Sequence, residues 1–164
     1  IRFFKEGCKM SFKECTYSVL IVSATDAFTS AFADLLPETK YFPVHTVSSI
    51  NAARCTLTEK TYDFIIINAP LRDDIGVRFA IDTCCNKQSV VLLIVKSDIY
   101  NGIHEQVTEY GVFTLSKPLS KITMTYALNW LESSRERLRQ FEKNPYPLKK
   151  KWMKSALSIR QSGF

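Results

Sequence analysis

The stretch YDFIIINAPLRDDIG, residues 62–76, contains the pattern that decides the fold. Four consecutive apolar residues, 64–67, lie between Asp63 and Asn68. A short and uniformly apolar run of this kind predicts a strand that is buried on both faces of a sheet. The proline, aspartates and glycine that follow it predict a loop. The stretch therefore predicts a central strand whose carboxyl end leads into a polar loop.

The same alternation of strand and helix continues on both sides of this stretch. The predicted strands are 17–22, 41–47, 64–67, 90–95 and 112–115, and the predicted helices are 26–36, 48–57, 77–85, 103–110 and 121–143. Apolar strands that alternate with helices indicate a parallel sheet covered by helices on both faces. We therefore predict an α/β, flavodoxin-like, doubly wound five-stranded parallel sheet of order 2-1-3-4-5, with an extended C-terminal helix.

The positive charge of the chain is concentrated at its two ends. Of the net charge of +6, residues 141–164 contribute +5 and residues 1–10 contribute +2, which leaves −1 for residues 11–140. An argument for nucleic-acid binding therefore applies to the tail and not to the main domain. The sequence shows no apolar run that could span a bilayer and no signal peptide, so we expect a cytoplasmic protein.

The cysteine and glycine patterns argue against a metal, a cofactor or catalysis. The five cysteines are odd in number and show no C-x-x-C spacing, and His45 and His104 lie far from any cysteine cluster. We therefore expect no disulfide, no metal and no cofactor. Residues 23–26, which follow the first strand, contain no glycine-rich phosphate loop, so we expect that the chain is not an enzyme.

Two motifs resemble those of response-regulator receiver domains, the CheY-like family. Residues 62–76 resemble the family's stretch around its phospho-acceptor aspartate, with Asn68 in place of that aspartate and Arg72 in place of a proline. Ser116-Lys117-Pro118, after a short strand, resembles the family's closing Lys-Pro. The resemblance covers about residues 16–132 and implies a two-component signalling module.

The resemblance also implies that the residues needed for phosphorylation are missing. The acidic pair that holds Mg²⁺ in the family falls on Ser23 and Ala24, and the phospho-acceptor falls on Asn68. An amide cannot form an acyl phosphate, and a site without carboxylates has little affinity for Mg²⁺. We therefore predict a degenerate receiver that is not phosphorylated on aspartate.

The switch residues of the family are also replaced, although its lysine remains. The hydroxyl that ends strand 4 falls on Ile94 or Val95, both apolar, and the switch aromatic of strand 5 falls near Thr114. Lys117 and Pro118 are retained. Asn68 is expected to accept a hydrogen bond from Lys117 in place of the family's aspartate.

Nearby acids leave one alternative open, an atypical receiver that is phosphorylated on another aspartate. Asp26, Asp73 and Asp74 lie close to the same sheet edge. We interpret Asp26 as the cap of the first helix, Ser48 as the cap of the second, and Asp73 and Asp74 as solvated loop charges.

The last helix carries a heptad pattern that predicts a homodimer. The seam consists of Ala127, Leu131, Ser134, Leu138 and Phe141. The spacing fits a parallel coiled coil, and the alternative is a helix that packs on its own domain. Two heptads do not decide between these structures.

These patterns divide the chain into four segments. We expect residues 1–15 to form a disordered leader, with Met10 as the natural start. The receiver-like domain covers residues 16–132, and a helical extension follows over residues 133–143. Residues 144–164 form a basic tail. Receivers with an extended, charged last helix resemble those of ANTAR antitermination regulators, and residues 151–161 can be encoded so that a shifted reading frame gives a peptide resembling the start of an ANTAR module. We therefore interpret the tail as the frameshifted remnant of such a module. RNA is expected as a partner only if the intact gene encodes that module; otherwise the chain is predicted to signal by protein–protein contact or dimerisation.

Overall fold

The computed structural model describes residues 16–86 and 89–143 of the chain. The strands are β1 (Tyr17–Ser23), β2 (Tyr41–Val47), β3 (Phe64–Asn68), β4 (Val90–Lys96) and β5 (Phe113–Lys117). The helices are α1 (Asp26–Ala33), α2 (Ile50–Glu59), α3 (Val77–Asn86), α4 (Tyr100–Thr108) and α5 (Lys121–Lys143). The predicted leader 1–15 and the predicted basic tail 144–164 lie outside the described residues.

All five strands are parallel and follow the order β2-β1-β3-β4-β5. This confirms the predicted doubly wound, flavodoxin-like topology. The central strands β1, β3 and β4 are almost entirely buried, as their uniformly apolar sequences predict. Because the strands are parallel, their carboxyl ends all lie at one edge of the sheet, where sites form in such folds.

The side chains of β3 divide the core into two layers. Ile65 and Ile67 pack on one face of the sheet, which is covered by α2, α3 and α4. Phe64 and Ile66 pack on the other face, which is covered by α1 and α5. Successive residues of a strand point to opposite faces, so a four-residue apolar run supplies both layers at once.

Two helix starts differ from the predicted caps. The N-cap of α2 is Ser49, whose side chain accepts from the Ala52 amide at 3.1 Å, and not Ser48. The N-cap of α1 is Thr25, and Asp26 is the first helical residue, so the prediction that Asp26 caps this helix was wrong. In both places the sequence offers two adjacent polar residues, and only the path of the chain out of the preceding strand selects one.

Helix α1 ends earlier than predicted, at Ala33 instead of at residue 36. Tight turns follow it, in which the amides of Leu35 and Leu36 donate to the carbonyls of Phe32 and Ala33. These turns bring Leu36 into the core beside β1. The chain therefore leaves the helix to bury Leu36 before it reaches Pro37, which cannot continue a helix.

Helix α5 is continuous over 23 residues, as predicted, and its heptad positions face its own domain. Ala127 and Leu131 are buried in the core layer under α1 and α5, and Leu138 packs against that layer. The assignment of Ala127 and Leu131 to a dimer seam is therefore corrected: burial in the monomer core already accounts for their apolar spacing. Apolar residues at alternating spacings of four and three lie on one face of a helix, and that face can pack on a sheet as well as in a coiled coil.

The far end of α5 is held against the sheet by ion pairs that the sequence did not indicate. Arg135 donates from Nε to Asp63, just before β3, at 2.7 Å, and Arg139 reaches the same carboxylate at 3.5 Å. Glu132 pairs with Lys40 at 2.8 Å and accepts a short hydrogen bond from the Tyr41 hydroxyl. The helix therefore extends across the amino-terminal edge of the sheet and does not project from the domain.

Within the described ranges, no helix has the length and apolar character that crossing a membrane requires.

Candidate functional site

The candidate site lies where β1, β3 and β5 end. Ser23 and Asn68 are register partners at the ends of β1 and β3, and both side chains are buried. Asn68 is in turn the register partner of Ile94 in β4. The structure therefore brings together the predicted positions of the acidic pair, the acceptor and the strand 4 hydroxyl.

The amide of Asn68 is held by two hydroxyl groups. Its Nδ2 donates to Ser23 Oγ at 3.1 Å and to Thr25 Oγ1 at 3.2 Å. Ser23 Oγ also accepts from the Thr25 backbone amide at 3.2 Å. The side-chain nitrogen of the asparagine donates to both hydroxyl oxygens, whereas the carboxylate of an aspartate at this position could only accept from the two hydroxyls. Asn68 thus suits a site that joins the ends of two strands.

Lys117 does not contact Asn68 in the way that the sequence predicted. Its Nζ donates to the backbone carbonyl of Ala69 at 2.6 Å, whereas Asn68 Oδ1 has no hydrogen-bond partner within the described residues. The predicted Asn68–Lys117 hydrogen bond was therefore wrong. The neutral amide lacks the charge that would draw the ammonium away from a nearby carbonyl group.

A second lysine at this edge adds positive charge. Lys96, at the end of β4, is the register partner of Lys117. Burial lowers the pKa of Lys117, and the charge of Lys96 lowers that pKa further. Two hydroxyls, one amide and two lysines form a donor set that does not fit Mg²⁺, which is held by carboxylates in proteins.

The two predicted switch positions, Ile94 and Thr114, carry side chains that hold β4 and β5 in place. Ile94 is fully buried in the core, so no hydroxyl ends β4 at this point. Thr114 Oγ1 lies 2.5 Å from Nδ1 of His104 and so links β5 to α4. Sequence reasoning missed this contact, because the nine residues between His104 and Thr114 give no periodic signal.

The nearby aspartates are engaged in backbone contacts. Asp73 accepts from the amides of Ile50 at 3.1 Å and Asn51 at 3.0 Å, and these hydrogen bonds lower its pKa. Asp74 accepts from the amide of Ile75 at 2.6 Å. The interpretation of Asp73 as a solvated loop charge is therefore incomplete: it is exposed, but it also caps the start of α2 from a distant loop.

A stripe of exposed apolar side chains runs along the outer face of α5. Ile122, Tyr126 and Trp130 are 66%, 56% and 50% exposed, and we call these three residues the α5 stripe. Their spacing of four places them on one side of the helix. Sequence reasoning missed the stripe, although its i, i+4, i+8 pattern was available, because the heptad positions on the neighbouring face accounted for the helix.

Comparisons with known proteins place the fold among receiver domains. No family model matches the chain, and no curated protein matches it. Among solved structures, it is similar to the signal receiver domain of an HD domain-containing protein from Pseudomonas fluorescens Pf-5. The two share 18% sequence identity over 77% of this chain and 93% of that chain, with a TM-score of 0.67. It is also similar to the chemotaxis response regulator CheY4 of Vibrio cholerae, with 18% identity, coverage of 71% and 98%, and a TM-score of 0.61. A third similar structure is the beryllofluoride-activated NtrC4 receiver domain dimer, with 23% identity, coverage of 74% and 98%, and a TM-score of 0.59. These likenesses show that the chain has the receiver fold.

Proposed function

We propose that this chain is a regulatory module of a two-component signalling pathway that acts by protein–protein interaction, without phosphorylation of an aspartate and without enzymatic activity. The observation that carries the proposal is the Asn68 amide, hydrogen-bonded to Ser23 and Thr25 at the place where receiver domains carry their acceptor. The receiver fold supports the signalling role. The side chains at the site provide neither a phosphoryl acceptor nor a Mg²⁺ ligand set.

The engagement of the neighbouring acids supports this proposal over the alternative of an atypical acceptor. Asp73 and Asp74 each accept backbone N–H groups, and nucleophilic attack by either carboxylate would give up these hydrogen bonds. Asp26 is exposed at the first position of α1, where its charge favours the helix N-terminus.

Phosphorylation chemistry tests the proposal directly. Incubation of the full chain with acetyl phosphate or phosphoramidate and Mg²⁺ is expected to add no phosphoryl group, as measured by intact-mass spectrometry. The physical reason is that an amide nitrogen does not form a stable acyl phosphate and that no carboxylates bind the metal.

A matched set of variants separates the missing acceptor from the missing metal ligands. Asn68→Asp alone is expected to stay unmodified, whereas the triple variant Ser23→Asp, Ala24→Asp, Asn68→Asp is expected to gain one phosphoryl group. A stoichiometric adduct on the unaltered chain would show that another residue accepts phosphate. Circular dichroism confirms that each variant is folded before the comparison.

The α5 stripe supplies a surface for the proposed interaction. Soluble domains rarely leave large aromatic side chains aligned on one helix face without a partner, and tyrosine and tryptophan are enriched in protein interfaces. We propose self-association through this outer face of α5, in place of the predicted seam on its inner face. One of the similar solved structures, that of NtrC4, is a dimer.

Sedimentation velocity tests the proposed self-association. The full chain is expected to form dimers that Tyr126→Ala and Trp130→Ala each weaken at least about tenfold, because truncation of interface aromatics commonly costs more than 1 kcal/mol. Phe42→Ala is the matched control, since Phe42 is 65% exposed on the edge strand β2 and is not part of the α5 stripe. A monomer at all concentrations, or an equal effect of Phe42→Ala, would count against the dimer.

A further inference from the structure

A cavity of about 730 Å³ lies beneath the far end of α5, away from the site at the carboxyl ends of the strands. It is open to solvent on one side and is bordered by the end of α3, the loop before β5, the first residues of β4 and β5, and the last two turns of α5. Its volume is within the range of roughly 300–1,000 Å³ that is typical of small-molecule sites.

The extension of α5 creates this cavity. Leu131 is fully buried against the sheet, but Ser134, Leu138 and Phe141 lie one or more turns further along the helix and line the cavity. They overhang the starts of β4 and β5 at Val90 and Phe113. The ion pairs from Asp63 to Arg135 and Arg139 hold the helix in place above this space. The cavity is therefore bounded by a rigid helix and a sheet edge.

The lining combines apolar walls with one positive charge. Val90, Phe113, Leu138 and Phe141 supply aliphatic and aromatic surface, and Arg137, which is exposed, is the one charged residue among the described side chains that line the cavity. Arg137 forms no ion pair with any other residue of the ranges 16–86 and 89–143. An apolar cavity with a single guanidinium group at its wall is complementary to an amphipathic anion.

We propose that this cavity binds a small amphipathic anion, a ligand with an apolar body and one carboxylate-type group. The apolar body packs between Phe113, Leu138 and Phe141, and the anionic group pairs with Arg137. Charge argues against the chain's own ends as the occupant, because residues 1–10 and 144–164 are both basic. The proposal goes beyond the proposed function, since it assigns a ligand site at the opposite end of the sheet from Asn68.

Two cysteines allow the cavity to be probed with an internal control. Cys85 is exposed and lines the cavity, whereas Cys55 is exposed on α2 and does not line it. The full chain is alkylated with iodoacetamide at increasing concentrations of decanoate, and peptide-resolved mass spectrometry gives the rate at each thiol. Decanoate is expected to slow the alkylation of Cys85 several-fold in a saturable manner and to leave the rate at Cys55 unchanged.

Charge variants of protein and probe test the role of Arg137. Arg137→Gln is expected to raise the half-saturating decanoate concentration about tenfold, the loss of one charge-assisted contact. Arg78→Gln, which removes a charge that is 84% exposed on α3, is expected to have no effect. Decyltrimethylammonium is expected to give no protection. The proposal would be overturned by equal protection of Cys55 and Cys85, or by equal binding of decanoate to the Arg137→Gln variant. It would also be overturned if the alkylation of Cys85 were slow before any probe is added.

Discussion

Replacement of Leu131 by alanine should lower the free energy of unfolding by about 3 kcal/mol, and by the same amount at every protein concentration. Leu131 has no solvent-exposed surface and lies between α5 and the sheet, among Phe64, Ile66 and Leu92. The substitution removes buried methyl groups and leaves a cavity that the surrounding strands cannot close. Urea denaturation of the full chain, followed by circular dichroism, measures the change.

The concentration dependence distinguishes a core residue from a residue of a dimer seam. A seam residue would stabilise the protein by an amount that grows with protein concentration, because association is coupled to folding. Phe42→Ala, at a side chain that is 65% exposed on β2 and lies outside the α5 stripe, is the control and should change the stability by less than about 0.5 kcal/mol. A Leu131→Ala effect that vanishes at low concentration would return Leu131 to the predicted seam.

The second large effect is expected from Asp63→Ala, which should destabilise the fold by about 2 kcal/mol. The Asp63 carboxylate accepts from the Ser18 amide at 3.0 Å and from Arg135 Nε at 2.7 Å, so it joins β1, β3 and α5 at one point. Burial alone would lower the pKa of Arg135, but hydrogen bonds and charge attraction from Asp63 and Glu142 raise it above its usual value. Removal of Asp63 takes away the closest acceptor of a guanidinium that is only 13% exposed.

A double-mutant cycle isolates the contribution of the pair. Asp63→Ala and Arg135→Met should each lower the free energy of unfolding. The double variant should lower it by less than the sum of the two single effects, because each single change leaves one unpaired charge and the double change removes both. Asp82→Ala is the control, since its pairs with Arg54 and Arg78 are long and exposed and contribute little. Strict additivity of the two single changes would show that the ion pair does not hold α5.

The order of the strands could be predicted because it depends on patterns that are local in the sequence. Residues 64–67 and 90–95 are uniformly apolar, and only strands covered on both faces accommodate such runs. The right-handed crossover rule then restricts the ways in which alternating strands and helices can be connected. The bounds of α1 and the cap of α2 were less accurate, because tertiary packing of Leu36 and the exit from β2 decide them.

The residues of the candidate site could be located from the sequence, but the contacts between them could not. Ser23, Ala24, Asn68 and Ile94 could be placed at one sheet edge because parallel strands end together. The partner of Lys117 could not be predicted, because a lysine side chain reaches several acceptors and geometry alone selects the Ala69 carbonyl. The contacts of Asp73 with α2 and of His104 with Thr114 likewise join segments that no sequence period relates.

By itself, then, the sequence determined the architecture and the absence of carboxylates at Ser23, Ala24 and Asn68, where β1 and β3 end, since both follow from residue types at known positions along strands. The tertiary structure alone decided which face of α5 is used. The heptad Ala127, Leu131, Ser134, Leu138 and Phe141 fits a partner helix and a domain core equally well. The fold directs its first half into the core and its second half over a cavity, and it leaves Ile122, Tyr126 and Trp130 exposed. The physical reason is that periodicity specifies a face of a helix, whereas only packing specifies what that face meets.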